Sequence, residues 1–313
     1  MYKVGIDLGG TTTKIAFVAD NIGIVQKTSI TTRCDMGYRQ VFSDIAQCIN
    51  EIAQKLNIHN DGLDSIGLAT PGLLSEDGSE IVFASNLGFE HVDAIGELKK
   101  YFDCRVAMGN DANAAALGEH HFGAGKGSHS SVTITIGTGI GSGIIINDKL
   151  VCGCFNSGAE IGHHIIVADG ELCPCGQRGC MELYASASAI IRFAKEEVQS
   201  SSNTLMLSLS DGDLNKLNAK VVYDAYYKGD KSAARVVGKF IKYLGIGVIN
   251  IINILQPEVI IIGGGVSGEK EKLITPLSKY VKEHLIFGEK NFKTKINFAI
   301  LGSDAGVIGA AML

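Results

Sequence analysis

The sequence predicts an α/β protein built from two lobes of related architecture. Apolar runs of strand length alternate with segments of helical periodicity, a pattern typical of sheets covered by helices. Two groups of strands, at residues 4–30 and 131–146, each enclose a turn rich in glycine and threonine. The length of 313 residues suits two domains of about 100–200 residues each. We therefore expect a duplicated architecture.

The first half of the chain predicts an antiparallel meander, a long helix and two further strands. Apolar positions from Val41 to Leu56 recur at helical spacing, which predicts an amphipathic helix at residues 37–57. Another helix is expected from residue 112 onward. The strands are predicted at residues 4–8, 14–18, 23–30, 65–70 and 105–108.

The second half predicts another meander and then alternating helices and strands. The strands of this meander are expected at residues 131–136 and 143–146. The segment 199–213 is rich in serine, asparagine and aspartate, which predicts a flexible insertion. The later elements are predicted as helices at 217–228, 231–254 and 269–285, strands at 258–262 and 295–301, and a closing helix from 304.

Composition and charge exclude several classes of protein. With 46% hydrophobic and 19% charged residues, the chain is too apolar to be intrinsically disordered. The net charge of −5 and the lack of a long basic run argue against a nucleic-acid-binding surface. The most apolar stretch, residues 244–266, is interrupted by polar residues and three glycines, so no membrane-spanning helix is expected.

Cysteine content indicates the compartment. A strand pattern starts at the first residues of the sequence, which leaves no room for a signal peptide. Eight cysteines without a secretion signal point to a reducing environment, where clustered cysteines serve metal binding or chemistry more often than disulfides. We therefore expect a cytoplasmic protein.

Three glycine-rich segments have the chemistry to bind phosphate groups: residues 7–14, 136–143 and 263–268. In the first, Gly9 and Gly10 lack side chains, so their backbone N–H groups can face an anion, and threonine hydroxyls add donors. The alternative for the first two segments is an ordinary tight turn. The third matches a dinucleotide-binding pattern, but no acidic residue follows on a second strand, so this match is weak.

Two acidic residues are placed for phosphoryl chemistry. Asp7, at the end of a predicted strand, could hold Mg²⁺ through water. Asp111 follows another predicted strand and opens a helix, where a carboxylate can accept the proton of a substrate hydroxyl. A plain helix cap is the alternative for Asp111.

One histidine and three cysteines have the spacing of a Cys₃His zinc site. His163 is followed by Cys173 and Cys175 on a short knuckle, and by Cys180 five residues later. The Cys152/Cys154 pair is interpreted as buried strand residues rather than as a second metal site. The dispersed Cys34, Cys48 and Cys104 are expected in the core.

Together these motifs resemble the ROK family of sugar kinases, in the actin/hexokinase-like superfamily, and most of all its bacterial glucokinases. The resemblance covers essentially the whole chain, and the order of the motifs is more specific than any single loop. The matching segments are residues 7–11, 69–72, 86–88, 109–112, 137–139, 160–163, 173–182 and 263–265.

The resemblance implies an actin/hexokinase-like (ribonuclease H-like) two-lobed fold with a ligand cleft between the lobes. We expect an N-terminal lobe at residues 1–112 plus 303–313 and a C-terminal lobe at 113–302 that carries the zinc site. ATP and a sugar would bind in the cleft, and Mg²⁺ would assist. Relatives of this kind are often dimers or tetramers, so a homo-oligomer is expected, with no nucleic-acid or membrane partner.

The resemblance also assigns roles to individual residues. Asp111 resembles the catalytic base, and His163 would bind both zinc and sugar. Zinc would be structural, with Cys173, Cys175 and Cys180 as its other ligands. The sugar-binding residues would be Asn86, Asn110, Asp111, Glu160, His163 and Glu182. The residues for ATP and Mg²⁺ would be Asp7, Gly9, Gly10, Thr11, Thr12, Lys14, Gly137, Thr138, Gly139, Gly264 and Gly265.

Substrate identity is less constrained than reaction class. Phe89 stands where many family glucokinases have tryptophan, and His164 and the Cys152/Cys154 pair are also atypical. Glucose is the predicted acceptor, while fructose, mannose, N-acetylmannosamine and N-acetylglucosamine kinases share these motifs. A sugar-sensing repressor of the same family is disfavoured because the phosphate segment starts at Asp7, which leaves no room for a DNA-binding domain before it. An actin-like filament, a chaperone ATPase and a dinucleotide oxidoreductase each explain fewer of the motifs.

Overall fold

The computed structural model describes residues 1–20, 22–58, 62–201, 203–266, 271–290 and 292–313. These residues form two compact units. The first unit comprises Met1–Ser130, Gly143–Ala159 and Ile300–Leu313, and the second comprises Ser131–Ser142 and Glu160–Ala299. The boundaries of these units differ from the lobe boundaries predicted from the sequence. The lobe boundaries stay a prediction.

The elements alternate between strands and helices from the start of the chain. Up to residue 122 they are β1 (Tyr2–Leu8), β2 (Thr12–Ala19), β3 (Gly23–Thr31), α1 (Tyr38–Lys55), β4 (Leu63–Thr70), β5 (Leu73–Leu74), β6 (Glu80–Ala84), β7 (Phe89–Asp93), α2 (Ala94–Lys99), β8 (Arg105–Asn110) and α3 (Asp111–Phe122). The predicted meander, the long helix and the strands before and after it are confirmed. The small sheet formed by β5, β6 and β7 was not predicted.

The rest of the chain continues the same alternation. Its elements are β9 (Ser131–Ile136), β10 (Ile140–Ile146), β11 (Lys149–Leu150), α4 (Glu182–Ala185), α5 (Ala187–Ser200), α6 (Leu205–Leu209), α7 (Ala219–Tyr227), α8 (Lys231–Leu255), β12 (Val259–Gly263), α9 (Glu271–His284), β13 (Lys295–Phe298) and α10 (Ala305–Ala310). The predicted helices and strands of this half are confirmed within a few residues. Residues 269 and 270, the predicted start of α9, lie outside the described residues.

The two large sheets have the same strand order, which confirms the predicted duplication. The first runs β3-β2-β1-β4-β8 and the second runs β11-β10-β9-β12-β13. In the first sheet β1 pairs antiparallel with β2 and parallel with β4. In the second, β12 pairs parallel with both β9 and β13. The carboxyl ends of the parallel strands lie at one edge of each sheet, where the predicted site residues begin.

The core of the first unit lies between its sheet and α1. The helix buries the apolar positions that its periodicity indicated, including Phe42, Ile45 and Ile49, against strand residues such as Ile6 and Ile66. Removing this apolar area from water supplies the main favourable free energy of packing. The predicted amphipathic helix is thus confirmed.

Glycines let α10 approach the first sheet and α3 at backbone distance. A Cβ atom on Gly5 of β1 or Gly67 of β4 would overlap a carbonyl oxygen of α10, and a Cβ on Gly118 of α3 would overlap the carbonyl of Ala305. On α10 itself, a Cβ on Gly309 would overlap the carbonyl of Ala114. Close approach of backbone therefore requires glycine at these four positions.

The predicted flexible insertion at 199–213 is wrong for its central part, which forms α6. Thr204 caps this helix, and Asp230 accepts hydrogen bonds from the Thr204 hydroxyl at 3.0 Å and from the Leu205 N–H at 2.6 Å. A partner twenty-five residues away thus stabilises a short helix that its serine-rich composition disfavours. Ser202 lies outside the described residues.

The helix α8 is long and apolar enough, by length and composition, to cross a membrane. Half of its most apolar window is buried inside the protein, and α8 packs against α5, α7 and α9. A buried core helix meets the same criteria, so this single helix is weak evidence for a membrane span.

The packing of α10 predicts that Gly309→Ala lowers the stability of the fold. The added methyl group would meet the Ala114 carbonyl, and overpacking of this kind costs about 1–3 kcal/mol in the free energy of unfolding. Denaturant unfolding followed by circular dichroism measures the change.

The matched control is Gly238→Ala, at an exposed position within α8. No heavy atom lies within 4 Å of a Cβ built there, so the change should raise stability by about 0.5–1 kcal/mol. Equal effects of the two substitutions would contradict the packing argument.

Candidate active site

The first glycine loop, residues 9–12, connects β1 to β2. The Gly9 N–H donates to the Thr12 carbonyl at 3.2 Å. Gly10 lies against the backbone of Asn86, because a Cβ on Gly10 would overlap the Asn86 carbonyl oxygen. The structure therefore brings the predicted phosphate loop and the predicted sugar-binding Asn86 together in the first unit.

Two buried threonines brace this loop from behind. The Thr32 hydroxyl donates to the Gly9 carbonyl at 2.7 Å, and the Thr32 N–H donates to the Thr11 carbonyl at 3.0 Å. The Thr13 hydroxyl lies 2.8 Å from that of Thr32. Since the only hydroxyl proton of Thr32 is used by Gly9, Thr13 donates in this pair. The loop backbone is thereby held in one conformation.

Asp7 and Lys14 face each other across the β1–β2 pair. The Lys14 Nζ lies 3.8 Å from Asp7 Oδ2 and donates to the Ser303 carbonyl at 2.7 Å. Burial raises the pKa of the Asp7 carboxyl, and the positive charge of Lys14 opposes part of that rise. The pair places one carboxylate and one ammonium group beside the glycine loop.

Asn110 and Asp111 stand where β8 ends and α3 begins. Asn110, not Asp111, is the N-cap, and its Oδ1 accepts from the Ala112 N–H at 2.8 Å. Asp111 is the first helical residue, and its Oδ1 accepts from the same N–H at 2.8 Å. Exclusion of water by the surrounding protein raises the pKa of Asp111, and the nearby charge of Asp7 adds to the rise. Asp111 is therefore more basic than an ordinary aspartate. The residue that caps the helix is Asn110.

The second glycine loop, residues 137–140, connects β9 to β10. The Gly137 N–H donates to the Gly139 carbonyl at 2.9 Å. Gly264 follows β12 with a φ of +84°, and a Cβ there would overlap the backbone of Ile136. The predicted residue Gly264 thus adjoins the strand that leads into this loop, and Gly265 follows it, all within the second unit.

His163, Cys173, Cys175 and Cys180 converge, as their spacing predicts. Their ligand atoms all lie within 4.8 Å of one another. His163 Nδ1 is 3.8 Å from Cys173 Sγ, and the sulfurs of Cys175 and Cys180 are 3.6 Å apart. A tetrahedron with metal–sulfur bonds of about 2.3 Å has edges of roughly 3.8 Å. The four side chains therefore fit a tetrahedral metal ion.

The thiols of this cluster differ in acidity. A hydrogen bond from the Gln177 backbone lowers the pKa of the exposed Cys175 to about 7. Burial raises the pKa of Cys180 to about 12. A metal ion binds thiolates and displaces their protons, so Cys175 gives up its proton to a metal more readily than Cys180 does.

The two predicted glutamates of the second unit have different surroundings. Glu160 directly precedes a 3-10 helix at Ile161–His163, and its carbonyl accepts from the His163 N–H at 3.0 Å. Glu182 begins α4, and its Oε2 accepts from the Ile140 N–H at 2.8 Å. The structure therefore places Glu182 against the second glycine loop, a contact that the sequence did not indicate.

Some cysteine interpretations are confirmed and one is wrong. All eight cysteines are free thiols. Cys34, Cys48 and Cys104 pack against the core of the first unit, as expected. Neither Cys152 nor Cys154 lies in a strand, and Cys154 is exposed, because the chain leaves β11 before reaching them.

Another buried carboxylate, Glu119, was missed by sequence reasoning. It accepts backbone hydrogen bonds from Ala124 at 2.9 Å, Ile300 at 3.2 Å and Leu301 at 2.8 Å. These bonds tie the end of α3 to the segment that leads into α10. Nothing in the local sequence marks this role, because its partners lie up to 182 residues away.

The two large sheets share the same strand order, and each has a glycine loop between two adjacent strands. This arrangement is the predicted actin-like α/β fold. The chain belongs to the ROK family, whose sequence model matches residues 3–313. The family resemblance drawn from the motifs is thus confirmed.

Individual relatives agree with this assignment. The chain is 34% identical to a glucokinase from Thermotoga maritima, with 99% of this chain and 96% of that protein covered. It is 36% identical to a glucokinase from Halalkalibacterium halodurans, with 100% and 94% covered. A solved ROK family glucokinase from Streptomyces griseus, in complex with glucose and AMPPNP, is similar with a TM-score of 0.78 and 32% identity, covering 100% of this chain and 98% of that one.

Proposed function

We propose that this protein is an ATP-dependent hexose kinase that converts glucose to glucose 6-phosphate. The observation that carries the proposal is the placement of Asp111, with a raised pKa, in the same unit as Asp7 and the braced glycine loop at residues 9–12. Phosphoryl transfer to an alcohol requires positioned phosphates, neutralised charge and one base. The glucokinase relatives support this reaction class and this acceptor.

In this mechanism Asp111 accepts the proton of the 6-hydroxyl as its oxygen attacks the γ-phosphorus of ATP. The new P–O bond forms as the bond to the β-phosphate oxygen breaks, and ADP leaves. The raised pKa makes the Asp111 carboxylate a stronger base than an ordinary aspartate. Asp7 is the residue that would hold Mg²⁺ through water, and this ion would neutralise charge on the phosphates.

The remaining predicted residues bind the two substrates. Sugar hydroxyls bind Asn86, Asn110, Glu160, His163 and Glu182. The phosphates of ATP bind the backbone and hydroxyl donors of the two glycine loops, with Lys14 adding positive charge, and Gly264 and Gly265 lie against the nucleotide. Support comes from the contact of Asn86 with Gly10 and from the backbone donors that glycine loops can offer to anions.

The metal of the Cys₃His cluster is zinc with a structural role. Four protein ligands complete the tetrahedron and leave no position for a water molecule. With Nδ1 of His163 directed at the cluster, its Nε2 remains to donate a hydrogen bond to the sugar, and its orientation is fixed by the metal. The protein is cytoplasmic in this proposal, because a reducing compartment keeps the eight thiols of the chain free. A homo-oligomeric state remains part of the proposal.

A panel of hexoses with ATP and an ADP-coupled readout tests the acceptor. We expect glucose to give the highest kcat/KM. When another hexose binds, a buried protein group that pairs with a glucose hydroxyl is left without a partner, which weakens binding by about 1–3 kcal/mol. The panel includes fructose, mannose, N-acetylmannosamine and N-acetylglucosamine. A tenfold higher kcat/KM for one of these would change the acceptor, and no turnover with any sugar would favour a sugar-sensing regulator.

Replacement of Asp111 by asparagine tests the base. Asp111→Asn keeps the size of the side chain but not its basicity, so kcat should fall by about 10²–10⁴ while glucose affinity by calorimetry is retained. Asp103→Asn, at an exposed acid of the same unit, is the control and should turn over normally. Near-normal turnover of Asp111→Asn would exclude this residue as the base.

The wild-type pH profile adds an independent test of the same residue. Only ionised Asp111 can accept a proton, so kcat/KM should fall as pH drops through its pKa. Since that pKa is raised, the acidic limb should lie above the usual aspartate value of about 3.9.

Elemental analysis of unchelated protein tests the metal, and about one zinc per chain is expected. Cys175→Ser removes one ligand and should lose zinc and raise the KM for sugar. Cys154→Ser, at an exposed cysteine outside the cluster, should keep both values. Zinc far below one per wild-type chain, or an unaltered sugar KM in zinc-free Cys175→Ser, would contradict this role.

A further inference from the structure

A short segment at residues 182–188 holds the second glycine loop at three backbone groups. The carboxylate of Glu182 accepts from the Ile140 N–H at 2.8 Å. The Ala187 N–H donates to the Gly137 carbonyl at 2.9 Å. The Ser188 hydroxyl donates to the Thr138 carbonyl at 2.8 Å. Three backbone groups of the loop are therefore held by three residues of one seven-residue segment.

The chain geometry of the segment explains these contacts. Ser186 is extended, with φ −98° and ψ 172°, and its hydroxyl caps α5 by accepting from the Ala189 N–H. The first N–H groups of a helix have no partner within the helix, and the N–H of Ala187 is used by Gly137. Ser188 is exposed and is not the cap, so neither capping nor burial accounts for its hydroxyl.

The glycine at position 139 is required by the same arrangement. A Cβ there would overlap the Glu182 carboxylate. Without that carboxylate in place, the Ile140 N–H would lose its acceptor. The loop is thus shaped to admit a side chain from the segment that follows Cys180.

We propose that Ser188 and Glu182 are positioning residues for the second glycine loop, and that Glu182 thereby serves the nucleotide as well as the sugar. This deepens the proposed function and rests on it. Oε2 of Glu182 is bonded to Ile140, and its other oxygen, Oε1, is the one that accepts a sugar hydroxyl. Ser188 touches the loop carbonyl rather than the reacting atoms, so it acts through the loop.

The test measures binding of AMPPNP by calorimetry in the absence of sugar. Ser188→Ala removes the donor to Thr138, and loss of one such hydrogen bond should weaken nucleotide affinity by about five-fold. Glucose affinity measured without nucleotide should stay unchanged, because the Glu182 contact remains. Ser188→Thr keeps the hydroxyl and should restore the nucleotide affinity.

Ser200→Ala is the matched control. Ser200 lies on the same helix, and its hydroxyl donates to the Glu197 carbonyl, far along the sequence from the loop. The AMPPNP affinity of the Ser200→Ala variant should equal that of the wild type. Wild-type affinity in Ser188→Ala, or equal weakening in Ser188→Ala and Ser200→Ala, would overturn the role of Ser188.

Two substitutions separate the functions of Glu182. Glu182→Gln keeps an acceptor for the Ile140 N–H and should retain AMPPNP affinity within two-fold in the absence of sugar. Glu182→Leu has no acceptor and should weaken it by about five-fold or more. Unchanged AMPPNP affinity in Glu182→Leu would show that Glu182 does not position the loop.

Failure of this inference differs from failure of the proposed function. A wild-type protein that binds no AMPPNP and phosphorylates no hexose contradicts the kinase assignment. A wild-type protein that does both, with AMPPNP affinity unaltered in Ser188→Ala and Glu182→Leu, contradicts the positioning roles alone. Circular dichroism melting of each variant separates a local effect from unfolding.

Discussion

The approach of α10 to the first sheet and to α3 at backbone distance is the constraint on which the first unit depends. Because Gly5 and Gly67 lack side chains, carbonyl oxygens of α10 lie directly against them, and because Gly309 of α10 lacks one, the Ala114 carbonyl of α3 lies against it. The same helix begins beside Asp7, since a Cβ on Gly306 would lie 3.1 Å from the Asp7 carboxylate. Asp7 and the start of α3, which carries Asp111, are thereby set relative to one packed helix.

Both glycine loops show one solution to a common electrostatic problem. A loop that binds phosphate must direct N–H groups toward the anion and keep its carbonyl oxygens away from it. In the first loop the Thr32 hydroxyl binds the Gly9 carbonyl, and in the second the Ser188 hydroxyl binds the Thr138 carbonyl. Each hydroxyl thus occupies one carbonyl acceptor of its loop. The duplication of the fold thus extends to how its loops are braced.

Sequence reasoning succeeded where periodicity or spacing encodes the answer. The strands, α1 and the convergence of His163, Cys173, Cys175 and Cys180 follow from local patterns, and the structure shows all of them. It failed where a residue distant in sequence stabilises the local structure. The helix α6 depends on hydrogen bonds to Asp230, and the Ser188 hydroxyl donates to a carbonyl fifty residues earlier. Hydrogen bonds from side chains to distant backbone leave no spacing in the sequence, so only the structure shows them.

The chain path has a consequence for how the protein is made. Residues 131–142 and 160–299 form the second unit, while residues 300–313 return to the first. A ribosome therefore releases nearly all of the second unit before it releases α10, the helix that covers Gly5 and Gly67. Until then the first sheet leaves one face without its helix, and closing it joins residues far apart in sequence, which slows folding. The nascent first unit is thus completed only after the second unit has been synthesised, and its uncovered apolar face stays exposed until then.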